Sequence, residues 1–237
     1  MKWFLAILNS FCLALVILFT AVELPAFFRP LYKLEYDKYN ICVQLNMAGD
    51  DLMAVTDHML RYLRGKEYDL SFTTVVDGQT RDFFNGREKD HMSDVRALFI
   101  NGFTLRNIAA ASWLATLVLM IILKCRPVRT LTLVYQIFLG SFMALTGLAA
   151  FLVSRDFNAS FTVFHRIFLR NDLWILDPSA DLLVNIVPEG FFSDIALCVG
   201  LIFASLCLLV MIASAVARMI QSARVPPNKT GRRGWEG

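Results

Sequence analysis

The chain has three histidines, and two of them fall where a proton carrier is useful. His91 lies in a run with Val95, Leu98 and Phe99 at the i, i+4, i+7 and i+8 spacing of one helical face, with Asp94 one turn away. His165 sits in a second run, where Phe161, Phe164, Phe168 and Leu169 repeat at helical spacing. A lone histidine on an apolar face is ordinarily a packed, hydrogen-bonded core residue. Two of them in separate segments, each bordering a long apolar stretch, weaken that reading. An imidazole titrates near neutral pH, so a pair can take one proton and deliver another, with a neighbouring carboxylate fixing tautomer and orientation. His58 points off the apolar face of its own helix and is read as solvent-facing.

Other constellations are weaker. The sequence has no Gly-x-Ser-x-Gly elbow, His-Glu-x-x-His pair, phosphate loop or Cys-x-x-Cys, so a covalent serine enzyme is unsupported. Cys42 offers a thiol, but its neighbours Asn40, Ile41 and Val43 read as an ordinary strand, which favours packing. Asp172, Asp177, Asp181 and Glu189 could join the histidines around a divalent metal. Their spacing matches no metal motif, and capping or loop hydrogen bonds suit them better, so neither a metal nor another cofactor is expected. Glu23 is the one acid inside the four apolar stretches, and its place just before Pro25 makes it interfacial.

The elements that position these residues are set by the bilayer. Of 237 residues 57% are apolar and 18% charged, which is beyond what a water-soluble domain carries. Hydrocarbon about 30 Å thick needs roughly 20 apolar residues per helix, and residues 3–24, 108–123, 131–153 and 195–217 supply four such stretches. The first resembles a signal peptide, but its run is longer than the roughly 7 to 15 residues of a signal core, and Phe27 and Phe28 follow as an aromatic belt, so it reads as an uncleaved helix. Lys124, Arg126 and Arg129 without an acid, and Arg218, Arg224, Lys229, Arg232 and Arg233 against Glu236, place those ends and both termini in the cytoplasm. Residues 25–106 balance their cations with twelve Asp and Glu, and long loops translocate regardless of charge. The small net charge of +3 therefore reflects topology and gives no reason to invoke nucleic acid. With Cys12, Cys198 and Cys207 in apolar helices and Cys125 on the inner side, no intrachain disulfide is expected.

The expected fold is an all-α membrane protein with a small extracytoplasmic α+β subdomain. Its divisions are a spanning helix over 1–24, the subdomain over 25–106, spanning helices over 107–124 and 130–153, an interfacial segment over 154–192, a last spanning helix over 193–217 and a basic tail over 218–237. Within the subdomain, Asp50-Asp51 opens a helix with Leu52, Val55, Met59, Leu60 and Leu63 on its apolar face, and Gly65 ends it. Asp77-Gly78 between residues 71–76 and 79–84 signals a type I′ hairpin that Asn85-Gly86 terminates. A separate helix is expected over 87–99, carrying His91. Residues 161–170 read as a short helix lying in the headgroup layer with its aromatic face in lipid, and a turn at Pro188 leads into the last span. After Ser222, Pro226, Pro227 and a Gly-Arg-Arg-Gly run have the composition of a disordered tail.

Two stretches carry a resemblance to a known family. REKDHMSDVRALF over 87–99, and HRIFLRNDLWILDP over 165–178 continuing to Asp181 and to PEGFF over 188–192, resemble the lipoprotein intramolecular transacylase (Lit) family. Helix order, loop lengths and size agree as well. The resemblance implies a membrane enzyme of low-GC Gram-positive bacteria whose partners are diacylglyceryl lipoproteins and membrane lipids. It would move the sn-2 acyl chain onto the α-amino group of the N-terminal cysteine, leaving a lyso-form lipoprotein. Family knowledge places essential histidines in the two outer segments, matching His91 and His165; beside them, Asp94, Arg170, Asn171, Asp172 and Asp177 are read from the sequence as supporting residues. A membrane metallohydrolase and a non-enzymatic scaffold or sensor are the alternatives.

Overall fold

In the computed structural model, residues 1–124 and 127–223 are described. The Cys125–Arg126 part of the basic link and the tail beyond Ala223 lie outside them. Four helices are long and apolar enough to cross a membrane: α1 (Lys2–Ala26), α5 (Gly86–Ile122), α6 (Pro127–Arg155) and α9 (Glu189–Ala223). Between α1 and α5 come α2 (Arg29–Lys38), α3 (Ile41–Gln44), α4 (Gly49–Leu63) and the antiparallel pair β1 (Thr73–Val76) and β2 (Gln79–Asp82). Between α6 and α9 lie α7 (Phe157–Phe168) and α8 (Leu182–Ile186).

The most deeply buried of the four long helices is α1, which packs against α5, α6 and α9. Leu5, Ala14, Ile17, Met120, Leu139, Phe203 and Cys207 fill that bundle core. The polar knot around Asn9 is closed. Asn9 donates to the Trp113 carbonyl and the Thr116 hydroxyl at 2.8 Å each and accepts from the Tyr135 hydroxyl at 2.5 Å. In hydrocarbon an unpaired amide costs several kcal/mol by order of magnitude, so this satisfaction is what permits Asn9 there.

A second core joins the two connecting segments. Tyr36, Leu52, Val55, Met59, Phe83 and Phe84 from the first pack with Leu183, Ile186 and Phe191 from the second. The α4 stop follows the sequence expectation: Gly65 has φ +73°, its N–H donates to the Tyr62 carbonyl and that of Lys66 to the Arg61 carbonyl, a Schellman ending. Asp77 and Gly78 take φ +51° and +72°, as a type I′ turn requires, and Val76 pairs with Gln79.

Four local expectations are corrected. The helix expected over 87–99 and the span over 107–124 are one unbroken 37-residue helix, α5: no proline interrupts 87–122, and Asn101-Gly102, a pair that often turns a chain, stays helical with Gly102 facing the Phe19 ring. At about 1.5 Å per residue α5 is about 55 Å long, so its first half stands clear of a hydrocarbon layer about 30 Å thick. Cys42 lies in the short helix α3 rather than a strand, where left-handed Asn40 and Asn46 bracket the turn. The short helix of the second segment begins earlier, at Phe157, because the Asp156 carboxylate caps it by accepting from Ala159 N–H at 2.9 Å. His58 is half-buried, its ring 5.2 Å from that of Phe72 and a ring nitrogen 3.0 Å from the Asp69 carbonyl.

Candidate active site

The two histidines that begin 74 residues apart in the chain come together at one end of the bundle. Their ring centroids are 6.1 Å apart with planes inclined by 33°, and each residue is 7% exposed. His91 is in the second turn of α5, about 45 Å above the Ile122 end, beyond the reach of the hydrocarbon. His165 is in the last turn of α7.

Different surroundings hold the two rings. His165 Nδ1 lies 2.8 Å from the Phe161 carbonyl. A carbonyl only accepts, so Nδ1 carries the proton and Nε2 keeps its lone pair. Trp174 stacks on the ring at 4.9 Å, and Phe161 and Phe164 contact it at 4.0 and 5.4 Å. His91 Nδ1 is buried with no hydrogen-bond partner among the described residues. An unpaired buried nitrogen costs about 1–3 kcal/mol, so it marks a place where a partner group belongs. Burial, reinforced by the neighbouring imidazole and opposed by Asp94, lowers the His91 pKa to about 4. Burial also lowers that of His165, against the stabilising Phe161 carbonyl. Both rings are therefore neutral near pH 7, the form that accepts a proton.

The supporting residues separate into those that join the segments and those that do not. Asn171 donates from Nδ2 to an Asp94 carboxylate oxygen at 2.8 Å, linking the loop after α7 to α5 one turn beyond His91. Asp172 joins through its backbone, whose carbonyl accepts from Arg87 at 2.7 Å. Asp177 serves its own turn, accepting from the N–H and hydroxyl of Ser179. Arg170 is exposed. Glu23 pairs with Arg106 across α1 and α5. Among the described residues no three His, Cys, Asp or Glu side chains converge as metal ligands.

Sequence reasoning missed the clamp beneath this site. Asn85 and Glu88 form a reciprocal capping box: the Asn85 side chain accepts from Glu88 N–H at 3.0 Å, and Glu88 accepts from Asn85 N–H at 2.7 Å. Fully buried Glu88 also accepts from Leu183 N–H at 2.5 Å, and Asn85 donates to Asp181 at 2.6 Å. Asp181 in turn accepts from Asp177 N–H at 2.7 Å. The start of α5 is thus fastened to the chain leading into α8, three residues before His91. The Asn-x-x-Glu spacing was the available signal, but Asn85-Gly86 also reads as the end of a hairpin.

The same arrangement of helices is found in solved proteins. Structures of the membrane integral lipoprotein intramolecular transacylase Lit from Bacillus cereus superpose with a TM-score of 0.77 at 19% identity, over 94% of this chain and 98% of that one. A form carrying a histidine-to-arginine substitution gives 0.75 at 18% identity, over 95% of each chain. At such identity the likeness speaks to fold alone. No curated protein is significantly similar in sequence. The sequence profile described as lipoprotein intramolecular transacylase Lit, however, matches residues 7–192, most of the chain and both histidine segments. On that match the chain belongs to the Lit family of membrane transacylases, enzymes that transfer an acyl group.

Proposed function

We propose that the chain moves the sn-2 acyl chain of a diacylglyceryl lipoprotein onto the α-amino group of its N-terminal cysteine, with His91 and His165 as the proton carriers. The observation that carries this reading is the juxtaposition of two neutral imidazoles, one with a fixed tautomer and one with an orphaned nitrogen, at the end of an apolar bundle. An α-ammonium must lose a proton before it attacks the ester, and the departing glycerol oxygen must gain one. Once the ammonium has given its extra proton to solvent, the balance closes within the substrate: an N–C bond forms, a C–O bond breaks, and one N–H proton of the amine ends on the glycerol oxygen. His165 Nε2 is oriented to receive that proton, and the imidazolium so formed passes it to neutral His91, which delivers it to the leaving oxygen, so that both rings end neutral. Backbone N–H groups, Asn171 or Arg170 supply the oxyanion donor. Because amine and ester belong to one molecule, holding them in attack geometry away from water is a large part of the catalysis.

The site lies at the outer face of the cell membrane, with both termini in the cytoplasm and residues 25–106 and 154–192 outside. The exposed Val163, Phe164, Ile167 and Phe168 of α7 support its lying in the headgroup layer, where a lipid ester is presented. Reporter fusions after Arg126 should report inside and those after Ala180 outside; the reverse at either point would sink this topology.

The function is tested by expressing the chain in a lipoprotein-producing host that lacks competing N-acylation and reading lipoprotein N-termini by mass spectrometry. N-acylated lyso-form lipoprotein is expected. Free-amine diacylglyceryl cysteine alone would overturn the assignment.

A further inference from the structure

At the end of the bundle remote from the histidines, Lys2, Lys124, Arg129 and Arg218 surround a cavity of about 630 Å³. They come from the start of α1, the turn just after α5, the start of α6 and the last turns of α9. No carboxylate lines the cavity, and none of the four cations forms an ion pair among the described residues. The sequence offers none nearby, since residues 1–22, 107–155 and 195–223 contain no Asp or Glu. Orientation by positive charge explains cations at this end, but not their collection around one hollow. The rest of the lining is Trp3, Thr130 and Leu133. Trp3 and Leu133 are 46% and 41% exposed on the outside of the bundle, so the hollow borders the surface that faces lipid.

We infer that this hollow binds the phosphate of an anionic phospholipid headgroup, with the acyl chains lying along the apolar flank at Trp3 and Leu133. Guanidinium groups match phosphate geometry bidentately, lysines add charge, and an indole suits the interface beside a headgroup. A free phosphate would share the polar chemistry but gain nothing from the apolar flank. The site is separate from the histidine pair and does not depend on the acyl-transfer reading.

Native mass spectrometry of the full chain, titrated in neutral detergent with phosphatidylglycerol or phosphatidylcholine, tests it. One phosphatidylglycerol per chain should be retained, with phosphatidylcholine held less well. Replacing Lys124, Arg129 and Arg218 by Gln should weaken retention about 10- to 100-fold. Removing the same number of charges from Lys229, Arg232 and Arg233 should weaken it less than about threefold. Melting in phosphatidylcholine checks that the triple variant folds; should it not, Arg218→Lys against Arg218→Gln carries the comparison, with retention expected only in the first. Equal loss from both triple variants would reveal diffuse attraction and overturn the site. Equal retention of the two lipids would also overturn it. Millimolar inorganic phosphate that protects the lipid-free protein and displaces phosphatidylglycerol would transfer the site to a soluble anion and defeat the lipid assignment.

Discussion

His91 and His165 differ in what restrains them, and that difference makes them separable by substitution. Each change to alanine should lower the acyl-transfer rate about 10²- to 10⁴-fold, and the double variant should lose far less than the product of the two. Single-turnover measurements on a diacylglyceryl lipopeptide would show it. His58→Ala should leave the rate nearly unchanged, because that ring is engaged with Phe72 and the Asp69 carbonyl; a loss equal to the others would mean that the pair is wrongly chosen. The buried imidazole also has a signature in stability. His91 binds its proton at about 4 in the folded chain against an ordinary 6.5, so as pH falls through that window the unfolded chain takes up the proton first. Stability is therefore unpenalised above about pH 6.5 and declines toward pH 4. Melting curves at pH 7.5 and 5 should show a larger loss for the natural chain than for His91→Ala.

The register of α5 depends on the cap and clamp at its first turn. Glu88→Ala leaves the N–H groups of Leu183 and Asn85 without their carboxylate partner, at about 1–3 kcal/mol for each buried donor. Lower melting temperature and lower turnover are both expected. Asn85→Asp should recover part of each, since it retains the capping acceptor, though not the donor to Asp181. An unaltered rate in a destabilised Glu88→Ala protein would show that the clamp holds the fold without positioning His91. A second element-level constraint sits at Gly190 in the first turn of α9, where a Cβ would run into the Tyr39 hydroxyl. Gly190→Ala should destabilise by about 1–3 kcal/mol in a melting assay, unless Tyr39 gives up its hydrogen bond to Asp194. Which elements form was legible in the sequence wherever periodicity or turn chemistry acts locally: the apolar runs, the Asp77-Gly78 hairpin, the Gly65 stop. What joins them was not. The Leu183 N–H that completes Glu88 lies 95 residues away and is a backbone group, so no side-chain pattern could announce it.

Across the whole molecule, the two cores divide the labour. The bundle core is held by α1 and its closed Asn9 knot, while the aromatic core above it binds the two connecting segments to each other. That the histidines fall at one depth was readable from their apolar faces and their nearness to the spans. Their approach in azimuth was not, because it depends on how the second segment wraps over α5. The separate helix expected over 87–99 is the instructive miss: a span and an outer helix were each recognisable, and nothing local disclosed that the chain between them does not bend.

That unbroken rod makes α5 a ruler. The height of His91 above the lipid surface and the compass direction it faces are set by one count of residues, because the helix between the two is unbroken. Insertion of two alanines after Thr104 would turn the upper half by about 200° for a rise of about 3 Å, whereas seven would restore the bearing while lifting the site about 10 Å. If bearing is what the site requires, activity should return with the seven-residue insertion. If instead the imidazoles must meet an ester at a fixed height above the lipid surface, neither insertion should restore activity.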